Sequence, residues 1–294
     1  MSELLRKSLS KVSVFEALTY RDFLKRLYED IHGGEPDYSY LDFASDLGFS
    51  HSNVIRLVVQ GKRRLTKLTS ERIIAALGFK NQERRYFKAL VDHGNTRRID
   101  LREKHFQKIL QLKSTLLPSE SDKRKLEYFS KWLHPVLFQM AKMPGFKPDP
   151  DWILKNIGFK ISVREVNESL ELLHRLGVLA VDLKTHELKL SSEDFVILPT
   201  DAAASDLAVV RYHQQVLTLA KEAVPQTHVE QNEFNSMTLT LSRDDVNKIK
   251  EKMRNFCLEL LELENACQNG EDVVQVSLQM FSCLNSDRKP RNKP

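Results

Sequence analysis

The sequence predicts a mainly α-helical protein of the α+β class, on three observations. Its 294 residues hold only ten Gly and ten Pro, few breakers for a chain of that length. Long stretches carry apolar residues at helical spacing. Strand-like alternation is confined to short segments near 179–190, 234–241 and 273–284.

Size and composition narrow the function class. The length suits two or three domains, and 41% hydrophobic with 29% charged residues is ordinary for a globular protein. The opening Met-Ser-Glu-Leu-Leu-Arg-Lys lacks the apolar core of a signal peptide, and no run approaches a membrane span. Cys257, Cys267 and Cys283 are widely spaced and odd in number, which argues against a disulfide framework or a cysteine zinc site. The expected compartment is the cytoplasm. Net charge is +5, unevenly spread: residues 56–88 hold ten Lys/Arg against two Asp/Glu, whereas 200–285 hold seven against thirteen.

In chain order, Val14 to Ile31 reads as an amphipathic helix ending near Gly33-Gly34. Ser39 can cap the next helix, whose expected buried face is Leu41, Ala44 and Leu47 and whose stop is Gly48. Phe49 plugs the core, Ser50 opens a second short helix, and Val54, Ile55 and Val58 form its inner side. Two short helices about a glycine turn are the pattern of a helix-turn-helix, in which the second helix is offered to a DNA major groove. Helices through Ile73–Leu77 and Tyr86–Val91 follow, each closed by a glycine.

The candidate site is on that second helix and just beyond it. Ser50, His51, Ser52, Asn53 and Arg56 face outward, followed by Lys62, Arg63 and Arg64. Asn can pair bidentately with adenine and Arg with guanine. A basic run after the helix suits phosphate contacts, which set register and salt dependence rather than sequence choice. The bland alternative is a solvated face used for protein contacts, with Asp42 and Asp46 in the first helix in its favour.

Residues 96–121 read as a charged helix and linker, with 122–199 a second unit. Leu126 to Met140 reads as one helix, Asp149-Pro150 opens a short one, and Ser162-Val-Arg-Glu165 boxes a third. A hairpin over Leu179–Leu190 then completes a winged-helix pattern. Its third helix mixes Glu165, Glu168 and Glu171 with Arg164 and Arg175, which suits an interaction role better than DNA reading. Residues 200–285 form an acidic helix-strand-helix-strand segment for dimerisation or sensing, with Ile249, Met253, Phe256, Leu260 and Leu263 inward on its long helix; 286–294 is a basic tail.

The spacing Ala44-x-x-x-Gly48-Phe-Ser, then Gly61-Lys-Arg-Arg-Leu, then Ala75-x-Leu-Gly-Phe79 resembles the lambda-repressor-like fold of five helices across residues 13–94. Asp42 and His51 stand where many such repressors carry Gln. With Arg211-Tyr-His-Gln-Gln-Val-Leu-Thr-Leu-Ala-Lys-Glu-Ala223 and Ser236-Met-Thr-Leu-Thr-Leu-Ser242, nearly the whole chain resembles a bacterial family of inferred transcriptional regulators that join such a domain to a winged-helix-containing domain of unknown function. The resemblance implies regulation and supplies no ligand.

No catalytic, nucleotide-binding or metal-ligand motif occurs, and His174, His186 and His213 are scattered. The expected function is therefore a non-enzymatic, homodimeric regulator of double-stranded DNA that needs no cofactor, with an effector or protein partner left open. The alternative is a scaffold or signalling protein that keeps the fold without binding DNA.

Overall fold

A computed structural model describes residues 2–50, 53–117, 119–181, 188–191, 207–225 and 232–284. The protein is mainly helical. Its first 95 residues form α1 (Glu3–Leu9), a 3-10 turn (Val14–Glu16), α2 (Tyr20–Gly34), α3 (Tyr40–Asp46), α4 (Asn53–Val59), α5 (Lys67–Ala76) and α6 (Asn81–Asn95). The helix expected from Val14 starts instead at Tyr20, where the Thr19 side chain accepts from the Asp22 amide. The first seven helical residues, α1, carry too little pattern to stand out. They fold because Leu5 and Ser8 are buried against α2, with Ser8 Oγ donating to the Leu27 carbonyl at 3.4 Å.

The core of this part is aromatic. Phe23, Phe79 and Phe87 meet with ring centroids 5.7–5.9 Å apart, and Phe15 sits edge-on to buried Tyr86. Such edge contacts add to area burial because positive ring edges meet negative faces. Leu41, expected inside, is 62% exposed, and Phe43 is buried in its place.

Next come α7 (Ile99–Ser114), α8 (Glu120–Tyr128), α9 (Leu133–Met140), α10 (Pro150–Asn156), α11 (Val163–Arg175) and α12 (Leu207–Ala223). Helix α7 runs along α6 and buries Phe106, Ile109, Leu110 and Leu112. Arg211 of α12 pairs with Glu103 and lies 4.4 Å over the Phe106 ring, fastening α12 to α7. The single helix expected over 126–140 is two, broken at Phe129–Trp132. Gln215 from α12 accepts from the Trp132 amide (2.7 Å) and donates to the Ser130 carbonyl (3.3 Å), satisfying backbone groups the break frees. Strands β1 (Leu179–Val181) and β2 (Leu188–Leu190) pair antiparallel, Leu179 opposite Leu190. Their connection, with His186, lies outside the described residues.

His134 on α9 is buried, its Nδ1–H donating to the Tyr128 carbonyl at 3.0 Å. Burial holds its pKa down to about 4; the bonds to the Tyr128 and Glu127 backbones oppose this, and the charges of Lys131 and Arg175 add to it. An unfolded histidine titrates near 6.5, so the unfolded chain takes up the proton first. Stability from this group is full above that pH and is lost as pH falls toward 4. The loss reaches roughly 2–3 kcal/mol by pH 4.5. Urea midpoints at pH 7 and 4.5 should therefore converge for His134→Gln relative to the parent chain.

The C-terminal segment departs most from expectation. Helix α13 (Arg243–Ala266) forms where Ser242 caps it, but none of its residues is buried, and Phe256 and Leu263 are exposed. The strands expected over 234–241 and 273–284 do not form: neither 233–241 nor 271–284 makes a backbone–backbone hydrogen bond. Met237 is 84% exposed, and Leu239, Val274 and Leu278 face outward too. Alternation gives each segment an apolar face, but a strand also needs a neighbouring edge, and the described residues supply none here. Among the described residues, no helix is long and apolar enough to cross a membrane.

Candidate nucleic-acid interface

Helices α3 and α4 are built by local chemistry. The Ser39 side chain accepts from the Leu41 and Asp42 amides, and Asp42 Oδ2 accepts in return from Ser39 N (2.8 Å) and Oγ (2.6 Å). This reciprocal cap fixes the start of α3 and holds the Asp42 carboxyl below its usual range, chiefly through the Ser39 bonds. The turn after α3 passes through Gly48 at φ +82°, a conformation that costs a residue with a side chain about 1 kcal/mol. Phe49 N then donates to the Ala44 carbonyl (2.9 Å), and Ile55 and Val58 bury the inner face of α4.

Ser50, Asn53 and Arg56 are exposed along this turn and helix. His51 and Ser52 lie outside the described residues. Arg56 is close enough to Tyr40 that its charge opposes the rise of the phenol pKa, a rise due first to burial and then to Tyr28 and Glu29. Helix α4 closes through Gly61 at φ +76°, after which the Lys62 and Arg63 amides donate back to the Leu57 carbonyl at 2.9 and 3.1 Å. Their main chain is thereby spent on the helix end, while the side chains of Lys62, Arg63 and Arg64 project into solvent.

The loop is also clamped from behind. Leu65 is buried, and its carbonyl accepts from Asn95 Nδ2 at 2.6 Å. Tyr20 in turn donates to Asn95 Oδ1 at 3.1 Å. Arg21 lies 4.6 Å over the Tyr20 ring, and its charge with that of Arg64 counters the burial-driven rise of the Tyr20 phenol. Sequence reasoning missed this Asn95–Tyr20–Leu65 clamp and the placement of Arg21 over the Tyr20 ring. Among the described residues, Arg56, Lys62, Arg63 and Arg64 have no ion-pair partner, whereas Arg84 and Lys88 share Glu71. Four uncompensated cations therefore follow one another across a turn whose backbone is fixed.

The acidic neighbours are engaged internally. Asp42 is held in the cap, and half-buried Asp46 accepts from Ser2 Oγ (2.7 Å) and Tyr38 OH (2.8 Å). The Asp46 bond and charge, after burial, push the Tyr38 phenol up. On α11 the opposite balance holds. Arg164 and Lys131 both pair with Glu168 at 2.7 and 2.9 Å, and Arg175 with Glu127 at 2.9 Å, so that face has few free cations.

Nothing else described has the geometry of a site. His174 Nδ1 is bonded to the Leu179 carbonyl, and His213 is exposed. No three His, Cys, Asp or Glu among the described residues converge as a metal site. A surface depression of about 660 Å³ lies between Gly158–Lys160 and Thr218–Pro225, open to solvent.

Fold and site together define a mainly helical protein with a clamped, cationic helix–turn segment ahead of further helices. Residues 105–283 match the family model described as Domain of unknown function (DUF4423), and the chain belongs to that family. The cationic segment precedes the matched region. No curated protein and no solved structure matches the chain.

Proposed function

We propose that this protein is a sequence-specific, homodimeric DNA-binding transcriptional regulator, with α3 and α4 as a helix-turn-helix in a lambda-repressor-like domain and α9–α11 with the hairpin as a winged-helix unit. The observation that carries the reading is the run of exposed Arg56, Lys62, Arg63 and Arg64 on and after α4, without an ion-pair partner among the described residues. In this reading the start of α4 enters the major groove, where Asn53 and Arg56 meet base edges, and Lys62–Arg64 hold phosphates. Asp42 and Asp46 accept from neutral groups and so keep their negative charge; the preference for this reading over the scaffold alternative rests on the four cations of α4 and its turn outnumbering those two carboxylates. A two-fold dimer would set its recognition helices about 34 Å apart, one DNA turn.

Selection from random duplexes followed by a salt titration tests this. With three phosphate-contacting cations per protomer, the log–log slope of affinity against salt should be roughly −5. No enrichment, or no binding even at low salt, would overturn the proposal.

A further inference from the structure

We infer that α13 pairs antiparallel with α13 of a second copy of this chain, and that this pairing supplies the strand edges its flanking segments lack. The inference rests on the dimeric reading above and gives it a surface. The apolar seam of α13 is Val246, Ile249, Met253, Phe256, Leu260 and Leu263, alternating steps of three and four, the spacing of a coiled-coil seam. In a helix of this chain alone, that seam is left without a buried residue.

The spacing and charge name the occupant. Val246 and Leu263, Ile249 and Leu260, and Met253 and Phe256 are each equidistant from the Arg254–Asn255 bond. Two copies turned end for end about that point therefore match every apolar layer, as a two-fold, self-complementary interface requires. Charge selects the same direction. Residues 243–254 carry five Lys/Arg against three Asp/Glu, and 255–266 carry three Glu and no Lys or Arg. Antiparallel pairing sets the basic half on the acidic half; parallel pairing sets like on like. Beside the seam, Lys252 falls next to the partner's Glu259, and the two-fold repeats that pair.

The ends follow from the same geometry. The start of α13 meets the end of the second copy's helix, which brings segment 234–241 beside the second copy's 273–281. Both alternate apolar with polar residues, as in a sheet with one covered face. Their amides and carbonyls, which make no backbone–backbone hydrogen bond within the described residues, can then form a ladder between copies over the helix pair.

Sedimentation of the full chain without DNA tests the pairing. The parent should run at twice the 34.1 kDa chain mass, and Leu260→Lys at that mass with unchanged far-ultraviolet circular dichroism, because α13 holds no protomer core. Lys252→Glu and Glu259→Lys should each weaken association by roughly tenfold, and the double exchange K252E/E259K should restore it. A monomeric parent, a dimeric Leu260→Lys, or a double exchange no tighter than the singles would overturn the inference. DNA binding is read separately: if it fails while these masses hold, the regulator reading falls and the helix pairing stands.

Discussion

Arg56→Ala combined with Arg63→Ala lowers affinity for the selected duplex by roughly a hundredfold or more at moderate salt, with folding unchanged. Both side chains are exposed and unpaired among the described residues, so their removal leaves no buried group unsatisfied and creates no cavity. The two halves of the variant act differently. Under the proposed function Arg56 meets a base edge, and its loss costs about 1–3 kcal/mol at one position and relaxes sequence preference there. Arg63 meets phosphate, so its loss weakens all sequences alike and makes the salt slope less negative by about two for a dimer. Binding isotherms of the single and double variants at three salt concentrations separate these contributions. An unchanged slope for Arg63→Ala, or binding indifferent to both substitutions, would remove the residues from the interface.

How much of this was legible in the sequence depends on how local the physics is. Caps were readable because each is settled within three residues: Ser39 with Asp42, Asp149 with Pro150, Ser162 with Glu165 and Ser242 with Asp245 all close as their spacing implies. Gly48 and Gly61 likewise take the positive φ that their turns require. The exposure of Asn53, Arg56 and Lys62–Arg64 followed from the same local pattern. The clamp behind them did not, because Asn95 is thirty residues from Leu65 and seventy-five from Tyr20, and no periodicity links them. The break between α8 and α9 was hidden for a similar reason: it is supported by Gln215 from α12, far along the chain. In the C-terminal segment, alternation identified the apolar faces of 234–241 and 273–284, but pairing is a property of two edges, and a single sequence contains no statement of where the second edge comes from.

Helix α3 gives the sharpest contrast between pattern and packing. It spans seven residues, two turns, over which a three-and-four rhythm fits two neighbouring faces almost equally well. Reading from Leu41 puts Leu41, Ala44 and Leu47 inside. The structure keeps Ala44 and Leu47, turns Leu41 to solvent at 62% exposure and buries Phe43 completely. The Phe43 ring meets Tyr28 at 5.7 Å, and Tyr38 and Tyr40 at 6.5 Å, and Tyr28 stacks on Tyr40 at 3.7 Å. That aromatic cluster seats α3 on α2 and, through Tyr40, borders Arg56. Phe43→Ala should therefore cost about 3–5 kcal/mol, enough to unfold a large fraction of the N-terminal helices, whereas Leu41→Ala should stay within about 0.5 kcal/mol of the parent. Chemical denaturation followed by amide exchange over residues 20–60 distinguishes the two. Equal costs, or a larger one for Leu41, would mean that α3 is rotated from the orientation described.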